Sequence, residues 1–272
     1  MHLLPVILYA IAAAAYIAHF ANRDERVGRF ATATLGAGVL AHTFLIGMQT
    51  VEAGHAPLVG TSAAISAFVW LLGLSYLYVE LTSNERSMGA FVAVLLAGLA
   101  IVPALDTTVT PRPPVLQSPL FTVHVMSLLF AYASFALACV LGVTYVLLFK
   151  EIKAKQLGLF YTRLPSLQTL DVMNTRAITV GWIFLTIGCV IGGIWAVQAH
   201  NSPDPRMQAM SLGDPKILVA VLSWVIYSFA LFARKAIGWS GRRAAYLSGV
   251  AFAVVLLNFV LVGYFLTKSH NF

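Results

Sequence analysis

The sequence predicts an all-α integral membrane protein with about eight transmembrane helices and both termini on the non-cytoplasmic side. Hydrophobic residues make up 60% of the 272 residues and charged residues only 10%, whereas a soluble domain carries roughly a quarter charged residues. The mean hydropathy is +0.85, and the charges are bunched between long apolar runs. Because one soluble core cannot enclose so much apolar surface, lipid is the expected solvent.

Eight apolar runs are long enough to cross a bilayer as helices. In chain order they cover residues 3–21, 30–50, 59–80, 87–105, 122–149, 177–199, 217–233 and 244–267. The first run contains small residues, as a signal peptide does. It lacks a basic segment before it and seven further runs follow, so it is expected to remain uncleaved.

The basic residues predict the orientation of these spans. Loops after the first, third, fifth and seventh runs contain thirteen Lys and Arg residues, from Arg23 to Arg243. The opposite loops contain four, which are Arg112, Arg206, Lys216 and Lys268. Since Lys and Arg accumulate in cytoplasmic loops, the first set is expected to face the cytoplasm. The alternation holds at every crossing and favours an even number of spans.

Three longer loops differ in character. The cytoplasmic loop 150–176 begins with KEIKAKQ and is expected to continue the fifth helix at its start. The outer loop 106–121 is rich in proline and cannot form a regular helix. The outer loop 200–216 contains prolines at positions 203, 205 and 215.

Composition also excludes some functions. The pI of about 9.6 would suggest nucleic-acid binding in a soluble protein. Here the basic residues border apolar spans, so membrane topology explains them and no nucleic-acid partner is expected. Cys139 and Cys189 fall inside apolar runs, and neither CxxC nor CxxCH occurs. The chain is therefore neither a thiol oxidoreductase nor a carrier of its own c-type haem, and the cysteines are expected to pack as small apolar groups.

Histidines are the most informative chemical feature. Five lie at the predicted outer side, one lies inside the second span and one nears the cytoplasm: His2, His55, His124, His200 and His270, then His42, then His19. Neutral imidazole is a common ligand of metals and haem iron, so the outer histidines suggest a metal or haem site. A buried polar residue in a membrane needs a partner. For His42, a hydrogen bond between helices is as good an explanation as ligation.

Five segments in order resemble CcsA/ResC cytochrome c assembly proteins. They are GHAPLVGTSAAISAFVW (54–70), SPLFTVHVMSLLFAYASFALA (118–138), SLQTLDVMNTRAITVGWIFLTIGCVIGGIWA (166–196), GDPKILVAVLSWVIYSFALFAR (213–234) and GWSGRRAAYLSGVAFAVVLLNFVLVGYFLTKSH (238–270). The resemblance implies a single membrane domain over 1–272, with a family core at about 40–270 and a reduced Trp-rich outer loop at 195–217.

The resemblance implies that the chain binds haem b on the outer membrane face. His124 and His270 match the two outer histidines that ligate haem iron in the family. Trp195 and Asp214 match positions in the Trp-rich loop that presents haem to apocytochrome c. His42 matches a histidine common in the corresponding second helix. Each residue also has an explanation that involves no haem. His124 could anchor its helix at the membrane interface, His270 could belong to a frayed tail, and Asp214 could be the N-cap before Pro215.

The sequence departs from the family pattern at four positions. Gly213 replaces the Trp before Asp-Pro-Lys, and Ile217 replaces the Glu after it. Phe232 stands where the family has a membrane histidine, and Ala63 stands about where an acidic residue follows the GHxP motif. These departures resemble the divergent HemX/YpjD-like branch more than a complete haem lyase.

The resemblance predicts a haem-handling protein of cytochrome c biogenesis in the inner (plasma) membrane, with a ResB/CcsB-type membrane partner. No catalytic residue is assigned, and the chain is at most one component of a haem lyase, the cytochrome c synthetase. An accessory or regulatory protein of the HemX kind, which affects haem supply, is the alternative. A small-molecule transporter is less favoured. Gly188, Gly192 and Gly193 could loosen the sixth span, but no matching half follows.

Overall fold

A computed structural model describes residues 2–106, 118–155, 158–200 and 215–257. Throughout these ranges the regular elements are α-helices, and no strand occurs among them. The helices are α1 (Leu3–Asn22), α2 (Glu25–Ala53), α3 (Thr61–Ser83), α4 (Gly89–Leu105), α5 (Pro119–Lys153), α6 (Leu159–Arg163), α7 (Leu167–His200), α8 (Pro215–Ala236) and α9 (Arg242–Leu257).

Each of the eight predicted spans falls on one of these helices, and α6 is a short additional turn. Six of the helices, namely α1, α2, α3, α5, α7 and α8, are long and apolar enough to cross a membrane. Helix α4 is apolar but has 17 residues, and the described part of α9 has 16. The helical, multi-pass membrane fold is therefore confirmed, while the count of eight and the orientation stay predictions.

The helix boundaries follow local capping chemistry. Ser118 accepts a hydrogen bond from the backbone N–H of Leu120 at 3.2 Å, and Pro119 occupies the first turn of α5. The same helix runs on to Lys153, so the predicted continuation of the fifth helix into the loop is confirmed. A side-chain oxygen before a helix satisfies one of its unpaired N–H groups, and proline suits the first turn because its missing donor is not needed there.

Helix α7 begins at Leu167, ten residues before the predicted span at 177–199. The hydroxyl of Ser166 accepts from the backbone N–H of Thr169 at 3.1 Å and marks this start. The polar first turns therefore extend α7 beyond the apolar run that defined the predicted span. The hydropathy pattern locates the lipid-crossing part of a helix, whereas a cap locates its true end.

Two groups of helices pack together. Helices α1 to α4 form one group, and α5, α7, α8 and α9 form the other, with α3 packing on α5 and α7 between them. Helix α5 is the most buried helix that could span a membrane, and it presents many small residues to its neighbours, including Ala131, Ala133, Ser134, Ala136 and Ala138. Small residues let membrane helices approach closely, so they explain why α5 lies at the centre.

Hydrogen bonds between indoles and hydroxyls join α7 to α8. Trp182 Nε1 donates to Ser228 Oγ at 2.7 Å, and Trp224 Nε1 donates to Thr186 Oγ1 at 2.9 Å. The two indole rings also stack, with centroids 6.4 Å apart. These paired contacts hold α8, the least buried of the possible spans, against the rest of the bundle.

Candidate functional site

A small hydrophobic cluster with two aromatic rings, called the aromatic cluster below, lies where three parts of the chain meet. They are the loop 54–60 between α2 and α3 (the GHAP loop), the start of α5 and the end of α7. The aromatic cluster is formed by Val59, Phe121 and Trp195, each about 5% exposed. The rings of Phe121 and Trp195 meet edge to face with centroids 5.7 Å apart. The imidazole of His124 lies beside them, its centroid 6.4 Å from that of Trp195. The structure therefore brings together two of the predicted site residues, His124 and Trp195, at the predicted outer end of the bundle.

Helical spacing accounts for this meeting. Phe121 and His124 lie one turn apart on the same face of α5, directed at α7. Gly188, Gly192 and Trp195 follow at intervals of four and three residues, so they lie on one face of α7. The two glycines and the tryptophan thus form the surface against which the first turns of α5 pack.

The GHAP loop reaches the same cluster through two glycines. Gly54 and Gly60 have φ angles of 71° and 93°, which residues with a Cβ adopt at a steric cost. They reverse the chain between α2 and α3 and place Val59 on Trp195. His55 lies in this loop and its Nδ1 donates to the carbonyl of Ala56 at 3.1 Å, which is the local role that a turn histidine commonly has.

The tautomer of His124 follows from its partner. Its Nδ1 lies 2.8 Å from the carbonyl oxygen of Gly188, and a carbonyl can only accept, so Nδ1 carries the proton. In a neutral imidazole the lone pair then belongs to Nε2. Iron and zinc ligands are commonly oriented in this way by a backbone carbonyl bound to the other nitrogen.

Gly192 makes room for the ring. A methyl group at this position would lie 2.5 Å from His124 Cε1 and 2.7 Å from His124 Nδ1. Gly188 plays the same part for Leu128, whose Cδ2 would lie 2.8 Å from such a methyl, whereas Gly193 has open space around it. The sequence suggested that three glycines loosen this helix. In the structure, two of the three are instead positions where α7 packs closely on α5.

A buried donor at this site suits an anionic group. Trp195 Nε1 is buried, and no acceptor contacts it among the residues that the structure describes. An unpaired buried N–H costs roughly 1–3 kcal/mol. A propionate of haem would supply an acceptor, the aromatic cluster would supply an apolar wall, and His124 would supply an imidazole. These residues therefore fit the predicted haem.

His42 lies in a separate hydrogen-bond network. Its Nδ1 is 3.2 Å from the hydroxyl of Tyr9 on α1, and its Nε2 is 2.9 Å from the hydroxyl of Ser66 on α3. The ring is 2% exposed. The adjoining cavity has a volume of about 30 Å³, which suits a water molecule and not a porphyrin. His42 thus joins three helices, and its predicted part in cofactor binding stays a prediction.

The remaining predicted positions fall into two groups, which are residues outside the described ranges and a residue on the bundle surface. His270 and Asp214 lie outside the described residues, so the parts predicted for them stay predictions. Phe232, at the position of the missing membrane histidine, is 61% exposed on α8. It therefore faces away from the bundle.

Sequence reasoning missed an ion pair that joins three of the family-like segments. Asp171 at the start of α7 accepts from Arg234 Nη1 at 2.9 Å and is also bound by Arg234 Nη2. Its Oδ1 accepts from the backbone N–H of Gly241 at 2.9 Å. Gly241 has a φ of 62°, and a methyl group there would lie 2.5 Å from Tyr145 Oη. All three residues lie in segments that resemble the family, but the sequence does not show that they contact one another. Only their proximity in the fold reveals the ion pair.

A second missed feature is the buried acid Glu80, which is 1% exposed. The hydroxyls of Tyr16 and Thr32 donate to its two carboxylate oxygens, and Arg86 Nε donates to Thr32 at 3.2 Å. Glu80 therefore connects α1, α2 and α3 at the predicted cytoplasmic end. A lone acidic residue inside an apolar run is the signal that would have indicated it.

Comparison with known proteins identifies a matching family model and similar chains that cover most of the sequence. The family model described as "Cytochrome C assembly protein" matches residues 2–270. The chain is 27% identical over 261 residues to the cytochrome c biogenesis protein CcsA of Trieres chinensis, covering 84% of this chain and 81% of that protein. It is 26% identical over 250 residues to CcsA of Guillardia theta, with coverage of 85% and 81%. It is 26% identical over 270 residues to CcsA of Synechococcus elongatus, with coverage of 82% and 81%.

Proposed function

Since the chain belongs to the cytochrome c assembly protein family and takes part in cytochrome c biogenesis as a multi-pass membrane protein, we propose that it binds haem at the outer membrane face and presents it to apocytochrome c. The observation that carries this proposal is the orientation of His124. Its ring is held by α7 beside a buried tryptophan whose donor has no acceptor in the described part of the chain.

In this proposal His124 would be the first of two residues that hold the haem iron. The bond from Nδ1 to Gly188 places the lone pair of a neutral ring on Nε2, the nitrogen that would bind iron. The close contact with Gly192 restricts rotation of the ring. A ligand restrained in this way loses little conformational freedom when it binds, which favours affinity.

By the resemblance of the C-terminal segment to the family, His270 would be the second residue that holds the haem iron. Two neutral imidazoles would together hold one haem iron. The loop 195–217, including Asp214, would cover the macrocycle, and Trp195 would donate to a propionate. The bound haem supplies the vinyl groups to which the cysteine thiols of apocytochrome c add, while the protein's residues hold and orient it.

The partners and the location complete the proposal. A ResB/CcsB-type membrane protein is the proposed partner, and the inner (plasma) membrane is the proposed site. The outer orientation is supported by the basic residues, which concentrate on the side opposite to His124.

The variants His55→Cys and Asn84→Cys, each made in a chain with Cys139 and Cys189 replaced by Ser, test this orientation by labelling with a membrane-impermeant maleimide. Reaction at 55 and protection at 84 is the expected result.

A visible spectrum tests haem binding. The full chain is purified in mild detergent, with and without added haem, and the Soret band is recorded. We expect a bis-histidine spectrum that His124→Ala and His270→Ala abolish. His55→Ala is the matched control, because His55 is an outer histidine with a local hydrogen bond to Ala56, and its spectrum should not change.

Complementation separates presentation from an accessory role. A strain lacking its cytochrome c synthetase component is supplied with the wild-type chain or with the His124→Ala variant. Restored covalent haem attachment by the wild type, and not by the variant, supports presentation to apocytochrome c. A chain that stays colourless with added haem and only alters cellular haem supply would instead be a HemX-like accessory protein.

A further inference from the structure

A groove lies between α3, α7 and α8 at the predicted cytoplasmic end, at the opposite end of α7 from Trp195. Its volume is about 270 Å³, and its lining includes Arg176, Thr175, Thr179, Tyr78, Val180 and Ile183. Tyr78 is 48% exposed and Ile183 is 45% exposed. The groove therefore opens sideways on the lateral surface of the bundle, where a membrane protein meets lipid.

The groove carries one uncompensated positive charge. Two ion pairs occur in the part of the chain that the structure describes, and they join Arg86 to Glu25 and Arg234 to Asp171. Arg234 also lines the groove, but Asp171 neutralises it. Arg176 donates to the hydroxyl of Ser83 at 3.3 Å, and no carboxylate pairs with it within the described ranges.

Polarity changes along the groove in the direction of the membrane normal. Arg176 lies one residue before the predicted span at 177–199, so its guanidinium lies at the expected membrane boundary. Val180 and Ile183 follow on α7 toward the membrane centre. At 1.5 Å per residue, the path from Arg176 to Ile183 is about 10 Å long. One end of the groove is cationic and the rest is apolar, which is the pattern that an anionic amphiphile requires.

We propose that this groove binds one anionic phospholipid of the cytoplasmic leaflet. The phosphate pairs with the guanidinium of Arg176, whose planar donors match phosphate oxygens. One acyl chain lies along Val180 and Ile183. Basic pockets between helices on the cytoplasmic side are suited to such headgroups, because that leaflet is rich in anionic lipid. The lipid would bridge α3, α7 and α8, where the described helices leave a gap.

Native mass spectrometry tests the site. The full chain is reconstituted in nanodiscs of mixed phosphatidylcholine and phosphatidylglycerol, released gently, and scored for retained lipid. We expect one retained phosphatidylglycerol, and an Arg176→Gln variant that retains about fivefold less. Arg29→Gln is the matched control, because it removes the same charge from an exposed residue of α2 at the same predicted end. Its retention should equal that of the wild type.

A second variant leaves the charge in place. Ile183→Trp fills the apolar part of the groove on a surface-exposed position, so phosphatidylglycerol retention should fall while the fold persists. This variant decides the matter if Arg176→Gln does not fold. Equal retention of phosphatidylglycerol by the wild type and the variants would overturn the proposal. So would equal retention of the two lipids by the wild type, or displacement of phosphatidylglycerol by inorganic phosphate or by added haem.

Discussion

His124 on α5 donates from Nδ1 to the carbonyl oxygen of Gly188 on α7 at 2.8 Å, and Gly192 lies against the same ring. One face of α7 thus both orients the imidazole and leaves space for it. The relationship explains why glycines occur at two positions of a membrane helix that packs closely on α5. It also makes the geometry of the proposed ligand testable without changing the ligand.

We expect Gly192→Ala to weaken haem uptake by displacing the imidazole of His124. The added methyl would lie 2.5 Å from the ring, and overpacking of this kind costs about 1–3 kcal/mol, where 1.4 kcal/mol is a factor of ten in affinity. Haem titration followed at the Soret band measures the change. Gly193→Ala is the matched control, since nothing lies within 4 Å of its added methyl. Equal affinity for both variants would contradict the assigned geometry.

Asp171→Ala should destabilise the protein far more than Glu25→Ala. Asp171 has a side chain 14% exposed and binds both Arg234 and the backbone of Gly241, so its removal leaves a half-buried guanidinium and an N–H unpaired. We expect a loss of about 3 kcal/mol. Glu25 is 69% exposed in its pair with Arg86, and exposed pairs contribute about 0–1 kcal/mol. Melting curves in detergent compare the two; similar shifts would refute this ranking.

Replacement of Glu80 should lower stability in a graded order. Glu80→Ala leaves the hydroxyls of Tyr16 and Thr32 without their acceptor, at a cost of about 2–3 kcal/mol. Glu80→Gln keeps one acceptor oxygen and should lose roughly half as much. Glu52→Ala, at an exposed position of α2, serves as the control and should melt with the wild type. If Glu80→Ala also melts with the wild type, the buried network contributes nothing.

His42→Ala should cost stability and leave haem uptake intact. Both ring nitrogens are engaged by Tyr9 and Ser66, so the variant leaves two buried hydroxyls unpaired and should lose about 2 kcal/mol. Tyr9→Phe, which removes one bond and keeps the ring, should lose less. The Soret band and the melting temperature are measured on the same samples. Loss of the band in His42→Ala, with retention in Tyr9→Phe, would instead assign His42 to haem.

The spans could be predicted because each depends on a local property. An apolar run of sufficient length must form a helix in lipid, where every backbone group needs an internal partner. Each predicted span coincides at least in part with a described helix, and six of these helices are long and apolar enough to cross a membrane. This reasoning missed the start of α7 at Leu167, since a capped, polar first turn has no hydropathy signal.

The candidate site was predictable only in part. Family resemblance selected His124 and Trp195 from segments far apart in the chain, and the helices bring these two residues together. His42 was left with two explanations, because a sequence does not show which residues its nitrogens face. His270 and Asp214 lie outside the described residues, so their parts stay predictions.

The pairing of polar residues between helices depends on contacts between residues far apart in the sequence. Asp171 pairs with Arg234 across 63 residues, and Glu80 pairs with Tyr16 across 64. The apolar runs and the basic loops set the membrane character of this chain, because hydropathy and charge act on each segment separately. Which polar groups meet between helices depends on their packing angles and rotations, and these follow from the simultaneous fit of all neighbours. The hydrogen bond from His124 to Gly188 belongs to that second kind.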